Sequence, residues 1–358
     1  MGQTHWKTKQ KHLLNLLAGQ PSKHEGPITE WSHLSKWLIG SNLGAAAYQY
    51  LGPIYPKLKP YLQEAYYGNI YRDTAQKQVF SEMLSSLKGH KMDIMLLKGA
   101  ALGALAWDGE SHLRFQSDID FLVQRPELQT IANVLHEANF RFRKPDAIDS
   151  FYDDLPDTNK EGQLEMVSPS DSRVVLEAHT EVFLGHVQRI TAERVEDDLW
   201  KRRIDTKVDG IGNAPNSVRF TRLSNEDLVI HTMIHTAINH QFDENTLRNM
   251  LDVIRLANRI PINWEVVAER VKMMRMTTAV WLFMHVSAQI WHVHPFKETL
   301  AQLKPSGLRQ RLLARFITVD LVLSREILRL SRRRYGLLLL MIDRPIDMLR
   351  VLMRLPKL

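Results

Sequence analysis

The chain has 358 residues, of which 44% are hydrophobic and 24% charged, and its formal net charge is +7. That length exceeds one small core and points to two domains, or to one domain with helical additions, and the composition excludes a disordered chain. There is no cysteine, which excludes disulfides and thiolate metal sites and agrees with a reducing compartment.

The opening residues, from Met1 to Lys11, contain no apolar signal core, and Trp6 stands where a myristoylation signal carries Ser or Thr. Apolar residues at helical spacing (Leu13, Leu14, Leu16, Leu17, then Trp31, Leu34, Trp37, Leu38) predict helices over residues 1–90, including a long one from about 61 to 87. The pattern changes at Ile94-Met95-Leu96-Leu97, a short apolar run ended by Lys98-Gly99 and followed by a helical stretch from Ala100 to Trp107. Asp118 to Val123 and Val174 to Phe183 alternate as half-buried strands do, and Pro126 sits where a helix can begin. Residues 145–172 are polar and Asp-rich and read as a loop or hairpin at one edge of the sheet. From Ser224 the chain is helical again, with stretches predicted at 225–240, 244–259, 264–274, 276–292 and over much of 308–353.

The expected fold class is therefore α+β. Four segments are expected: an N-terminal helical region (1–90), an α/β core (91–222), a helical domain (223–303) and a basic tail (304–358). From Lys304 onward 13 basic and 4 acidic residues give the tail +9, so the rest sums to −2. The basic character belongs to the tail, which argues against nucleic-acid binding by the whole chain. Arginines interleaved with leucines there fit two readings. One is an amphipathic helix that meets an anionic membrane surface or an acidic partner; the other is a helix packed on the helical domain with solvated arginines. The apolar run Leu337 to Ile342 is far shorter than the ~20 residues that span a bilayer, and a cytoplasmic location is expected.

Three segments carry chemistry. In Leu97-Lys98-Gly99-Ala100 a strand ends in a glycine turn that opens a helix, and the amides of such a turn suit phosphate oxygens. In Asp118-Ile119-Asp120, strand alternation puts both carboxylates on one face. Two carboxylates 4 Å apart repel by ~4 kcal/mol at an effective dielectric near 20, which a cation between them relieves. In Val174 to Phe183, Glu177, His179 and Glu181 share the face opposite Leu176 and Ala178, so Glu177 is placed to join the two aspartates if the strands are neighbours. Read singly, each acid is equally well a solvated strand charge. In the helical region His231 and His235 are spaced i, i+4, His240 lies just beyond, and Arg248, Asp252 and Arg255 share a helix face. That pair suits zinc, although the Glu of the protease pattern is missing, and helix capping uses such residues more often.

Taken together, the Leu-Lys-Gly-Ala-Ala-Leu stretch at 97–102 and the stretch from Leu113 to Val123 around Asp118-Ile119-Asp120 resemble the DNA polymerase β-like nucleotidyltransferase superfamily. In detail they are similar to the uncharacterised bacterial proteins grouped as nucleotidyltransferase family five, over about residues 10–290. The sequence departs from the superfamily pattern at Ala100, where a second Gly or a Ser is usual, and in the longer gap to Asp118. The resemblance implies a polymerase β-like core between helical regions and transfer of a nucleotidyl group from an NTP, with ATP the expected donor. It implies that Asp118, Asp120 and Glu177 act as catalytic ligands for magnesium or manganese. Lys98, Gly99, Ala100 and Arg114 would hold the triphosphate, and His179, His235, His240 and Asp252 would contact the acceptor. The competing reading is a non-catalytic module that keeps the fold and binds nucleotide or a protein partner.

Overall fold

The computed structural model describes residues 2–23, 28–143, 151–152, 163–182, 196–206, 218–325 and 331–354. Packing groups the chain into two compact units. One unit holds the described residues of 67–182 and 196–224; the other joins those up to Tyr66 with those from Asn225 onward.

Among the described residues the first unit is built on a mixed sheet of eight strands. They are β1 (Met92–Leu96), β2 (Asp118–Leu122), β3 (Arg141–Arg143), β4 (Phe151–Tyr152), β5 (Gln163–Val167), β6 (Val175–His179), β7 (Ile204–Asp205) and β8 (Val218–Arg222). Their order across the sheet is β4-β3-β5-β6-β2-β1-β8-β7. β2 runs parallel to β6 and antiparallel to β1, while β1 runs parallel to β8. The architecture is α+β, as the alternation of strand and helix patterns implied. One expectation is corrected: within the stretch read as loop or hairpin, Gln163–Val167 is a full strand between β3 and β6. Leu164, Met166 and Val167 bury the side chains that drive it into the sheet; the rest of that stretch up to 162, apart from β4, lies outside the described residues from 144 onward, as does Phe183.

Strand alternation sorts the sheet into two faces. Phe121 and Phe220 project to one face, where Phe80 of the long helix Lys59–Ser86 meets both rings at centroid distances of 6.1 and 5.9 Å. Full burial of such side chains stabilises the fold by about 1.5–3 kcal/mol each. Asp118 and Asp120 are on the opposite face. Helix Arg125–Glu137 follows β2, started by Pro126 and by a Gln124 backbone N–H that donates to Glu127 at 3.0 Å.

The second unit is helical. Leu13, Leu14 and Leu17 of the first helix are fully buried, and Trp291 Nε1 donates to the Leu14 carbonyl at 3.2 Å. Arg255 Nη1 donates to the Leu17 carbonyl at 2.6 Å. Asp343 seals the start of helix Thr277–Ile290, accepting from the backbone N–H groups of Thr277 and Thr278 at 2.7 and 2.9 Å and from both hydroxyls at 2.6 Å. Tail helices span Gly307–Leu313, Val319–Ser324, Ser331–Met341 and Pro345–Arg354. Leu323, Leu337 and Met341 are buried; residues 326–330, part of the leucine–arginine interleaving, lie outside the described residues. Among the described residues no helix is long and apolar enough to cross a membrane.

Candidate metal and nucleotide site

Register decides which polar side chains meet. Asp120 on β2 lies directly beside Glu177 on β6, and Glu177 lies directly beside Glu165 on β5. Directly paired residues have Cβ atoms about 4.5–5.5 Å apart, so three carboxylates stand in a row across three strands. Arg143 on β3 closes the row, with Nη1 2.6 Å from Glu165 Oε2. Glu165 is not among the candidates from sequence, because residues 145–172 read as a loop or hairpin at one edge of the sheet; the alternation Leu164, Met166 is the signal that identifies it.

His179 completes the centre. Its Nε2 lies 2.9 Å from Asp120 Oδ1 and 3.5 Å from Glu177 Oε2. One ligating atom from each of Asp120, Glu177 and His179 falls within 4.8 Å of the others. His179 and Asp120 are nearly inaccessible to solvent, and Glu177 is partly exposed. The sequence reading assigned His179 to the acceptor; the geometry brings it into the same cluster as two of the three acids. Asp118 stands outside that cluster, on the same strand face and near enough to feel it.

The charges are unevenly balanced. Lys98, at the end of β1, places its ammonium in an ion pair with Asp120. Burial works against ionisation of Asp120, but the Lys98 ammonium and His179 outweigh it and hold this carboxyl well below the usual range. Asp118 goes the other way: burial first, then the charges of Asp120 and Glu177, push it up to about 6. Lys98 and His179 are both held above their ordinary values, because the surrounding acids outweigh the opposing effect of burial. A site with this much negative charge suits a cation. His179 Nδ1 supplies a second sign: it is buried and has no hydrogen-bond partner among the described residues. Oxygen donors with one imidazole fit a hard divalent ion such as magnesium or manganese.

The glycine turn lies beside this centre. Lys98 has φ +43°, a left-handed backbone that costs a non-glycine residue about 1–2 kcal/mol and swings the chain from β1 into helix Lys98–Ala106. Gly99 is closely approached: a Cβ there would lie 2.2 Å from Gln116 Oε1 and 2.7 Å from Arg114 Nη1, so both side-chain ends would have to shift. Arg114 is buried, so its guanidinium is packed over the turn rather than spread into solvent. Gln116 was not singled out from sequence; its side chain donates to Gln76 Oε1 at 2.7 Å, and Gln76 Nε2 donates back to the Gln116 carbonyl at 3.3 Å. The first amides of the helix, at Lys98, Gly99 and Ala100, have no intrahelical acceptor, as in any helix.

The remaining site expectations fall in the helical unit. His235 and His240 approach through their Nε2 atoms at 2.7 Å, and Asp252 is fully buried in helix Thr246–Ala257.

A family model described as uncharacterised nucleotidyltransferase matches residues 27–292. No match was found among curated proteins or among solved structures. The matched stretch takes in the glycine turn, both aspartates, Glu177 and His179, and covers well over half of the sequence: the chain belongs to this nucleotidyltransferase family.

Proposed function

We propose that the chain transfers a nucleotidyl group from a nucleoside triphosphate to an acceptor, at the centre formed by Asp120, Glu177, His179 and Asp118. The observation that carries this reading is the convergence of Asp120, Glu177 and His179 within 4.8 Å of one another. In the reaction an acceptor oxygen or other nucleophile bonds to the α-phosphorus, the bond to the bridging oxygen breaks, and pyrophosphate leaves. A bound divalent ion would neutralise phosphate charge and orient the in-line displacement. Asp120, Glu177 and Asp118 are the residues to hold it, and His179 either ligates it or fixes the Asp120 carboxylate. Lys98 and Arg114 face the triphosphate oxygens, and the amides of Gly99 and Ala100 at the helix N-terminus add uncharged donors. Such catalysis rests on positioning and electrostatics rather than on a protein nucleophile.

His235, His240 and Asp252 are proposed to select the acceptor, which is a small molecule, a peptide or a protein side chain. The exposed Ile346, Leu349 and Met353 of the last helix, together with the tail's charge, keep an anionic surface or acidic partner as the proposed contact of residues 304–358. The test of the central reading is a screen of the four triphosphates with magnesium or manganese, following pyrophosphate release and a mass shift on added acceptors, with ATP the expected donor. Metal-dependent pyrophosphate release that vanishes in Asp120→Asn supports the reading.

One observation favours a second reading. Lys98 is itself ion-paired with Asp120, the most buried carboxylate of the centre. A lysine that permanently neutralises this acid would leave a nucleotide-binding module without turnover. Triphosphate binding that neither needs a divalent ion nor releases pyrophosphate, and that survives Asp120→Asn, would select it.

A further inference from the structure

The helix Asn225–Ile234 does not run on regularly to residue 240. It passes into a π-helical turn, His235–Asn239, in which the His240 backbone N–H donates to the His235 carbonyl at 3.0 Å. In an α-helix, residues five apart are turned about 140° from one another and their side chains diverge. The wider π turn undoes much of that rotation, so His235 and His240 come to the same side. Their Nε2 atoms stand 2.7 Å apart, with ring planes at 81°. The sequence spacing favoured His231 with His235; the π turn pairs His235 with His240 instead, and leaves the His231 ring centroid 5.7 Å from that of His235. Single π turns inside helices are rare and are frequent at functional sites.

The turn is held in place on all sides. His240 Nδ1 donates to Asp243 Oδ2 at 2.6 Å. Asp243 also accepts from the Asn245 backbone N–H at 2.8 Å and from Asn245 Nδ2 at 3.3 Å. Gln241 and Phe242 both take left-handed backbones, with φ +49° and +60°, a strain of about 1–2 kcal/mol each that the buried Phe242 ring helps to hold. Arg334 donates to Gln241 Oε1 at 3.2 Å and to the His240 carbonyl at 3.4 Å.

With its Nδ1 proton committed to Asp243, His240 presents an Nε2 lone pair toward His235 Nε2. A carboxylate behind an imidazole, fixing its tautomer and raising its basicity, is the arrangement that supports metal-bound histidine. We propose that His235 and His240 form a site for a borderline divalent ion of the zinc type, backed by Asp243 and built from other residues than the carboxylate centre on the sheet. Imidazole nitrogen suits zinc, cobalt, nickel and copper, whereas magnesium prefers oxygen. The ion takes the place of the proton between the two rings: His235 carries that proton on Nδ1 instead of Nε2, no proton leaves the neutral pair, and the rings move apart from 2.7 Å so that each Nε2 forms one bond to the ion. Two protein ligands leave two positions of a tetrahedral ion open to water or to a substrate oxygen, one more than the single open position of a three-ligand catalytic zinc site.

The test is a titration of chelator-stripped, full-length protein with Zn2+ against a chromophoric chelator, repeated with Co2+ to read its visible absorption bands. The expected result is one equivalent that binds in the Asp120→Asn variant as in the wild type. That equivalent should weaken at least tenfold in His235→Ala and His240→Ala, and about 10–100-fold in Asp243→Asn. Circular dichroism confirms that each variant is folded, and His240→Gln, which keeps the size of the side chain, replaces any that is not. No equivalent surviving Asp120→Asn, or a surviving equivalent that keeps its affinity in His240→Ala and His240→Gln, overturns the proposal. Because the readout is metal binding, the result stands whether or not nucleotide turnover is found.

Discussion

Two clusters in this protein join histidine to carboxylate, and they are built by different means. On the sheet, His179 meets Asp120 and Glu177 because parallel strands in register set like-facing residues side by side. In the helical unit, His240 meets Asp243 and His235 because one turn of helix is wound differently from its neighbours. The sheet cluster has excess negative charge and one lysine against it, and so calls for a hard cation. The helical cluster has two imidazoles for one carboxylate, and so calls for a softer one. The same residue types thus offer different ratios of oxygen to nitrogen donors, and on that ratio rest the two different ions proposed for them.

The largest effect expected is on the sheet cluster. Asp120→Asn should take metal-dependent pyrophosphate release to the background rate, and Glu177→Gln should follow it, with circular dichroism showing both proteins folded. Turnover that survives in both would remove the centre from the chemistry.

Next in size is Gly99→Ala. The added methyl meets the ends of the Gln116 and Arg114 side chains, which must both move aside. Because flexible side-chain ends give way, the cost is at the low end of overpacking, about 1 kcal/mol, to be read from the denaturant midpoint. Displacement of Arg114 should also weaken triphosphate binding, measured by calorimetry, whereas Arg114→Ala should weaken binding more than it destabilises. Unchanged affinity in Arg114→Ala would disconnect the turn from phosphate.

A third comparison uses pH, where the two clusters have opposite signs. Asp118 titrates near 6 in the fold, raised by burial and by its acidic neighbours, so between about 4 and 6 the folded protein binds the extra proton. Metal-free stability should therefore fall as pH rises through that window, and magnesium should remove the slope, as should Asp118→Asn. Asp243 is buried, but its bonds to His240 and Asn245 outweigh that and lower its pKa, so its contribution is present above the ordinary carboxylate range and lost as pH falls below it. Thermal melts of the wild type, Asp118→Asn and Asp243→Asn across pH separate the two, and parallel curves for all three would contradict both assignments.

The smallest effect belongs to Arg334→Ala. Its two hydrogen bonds to the Gln241–His240 turn run from a partly exposed side chain. Loss of about 0.5–1 kcal/mol is expected in the melting curve, with a weaker affinity for Zn2+ if the turn is what sets the His235–His240 distance.

Much of the sheet cluster is legible in sequence because a two-residue period is short. Once Asp118-Ile119-Asp120 and Glu177-Ala178-His179 are read as strands, the sharing of a face follows without further information. What does not follow is pairing: β2 finds β6 more than fifty residues on, and only the register puts Asp120 beside Glu177 rather than Asp118. Glu165 escaped because the Asp-rich composition around it masked an apolar alternation of only three residues. The helical cluster was less legible for a physical reason. A helix reading assumes 100° per residue, and one π turn shifts everything after it, so His240 was placed beyond His235 rather than beside it. No composition signal marks such a turn; what accompanies it, the buried Phe242 and the bond from Arg334 to Gln241, is tertiary.

The pairing of the first helix with the last third of the chain has a consequence for synthesis. Leu14 waits for Trp291, which leaves the ribosome 277 residues later. At usual elongation rates of about 5–20 residues per second, that delay is on the order of ten seconds to a minute. For that time Leu13, Leu14 and Leu17 are an apolar helix face without its native cover, although the sheet unit has already acquired every strand it needs by Arg222. The nascent chain should therefore carry a folded sheet and a sticky N-terminal helix together, and ribosome-bound intermediates long enough for Arg222 to have cleared the exit tunnel, but too short for Trp291 to have done so, should be bound by holdase chaperones through that helix while their sheet already resists protease.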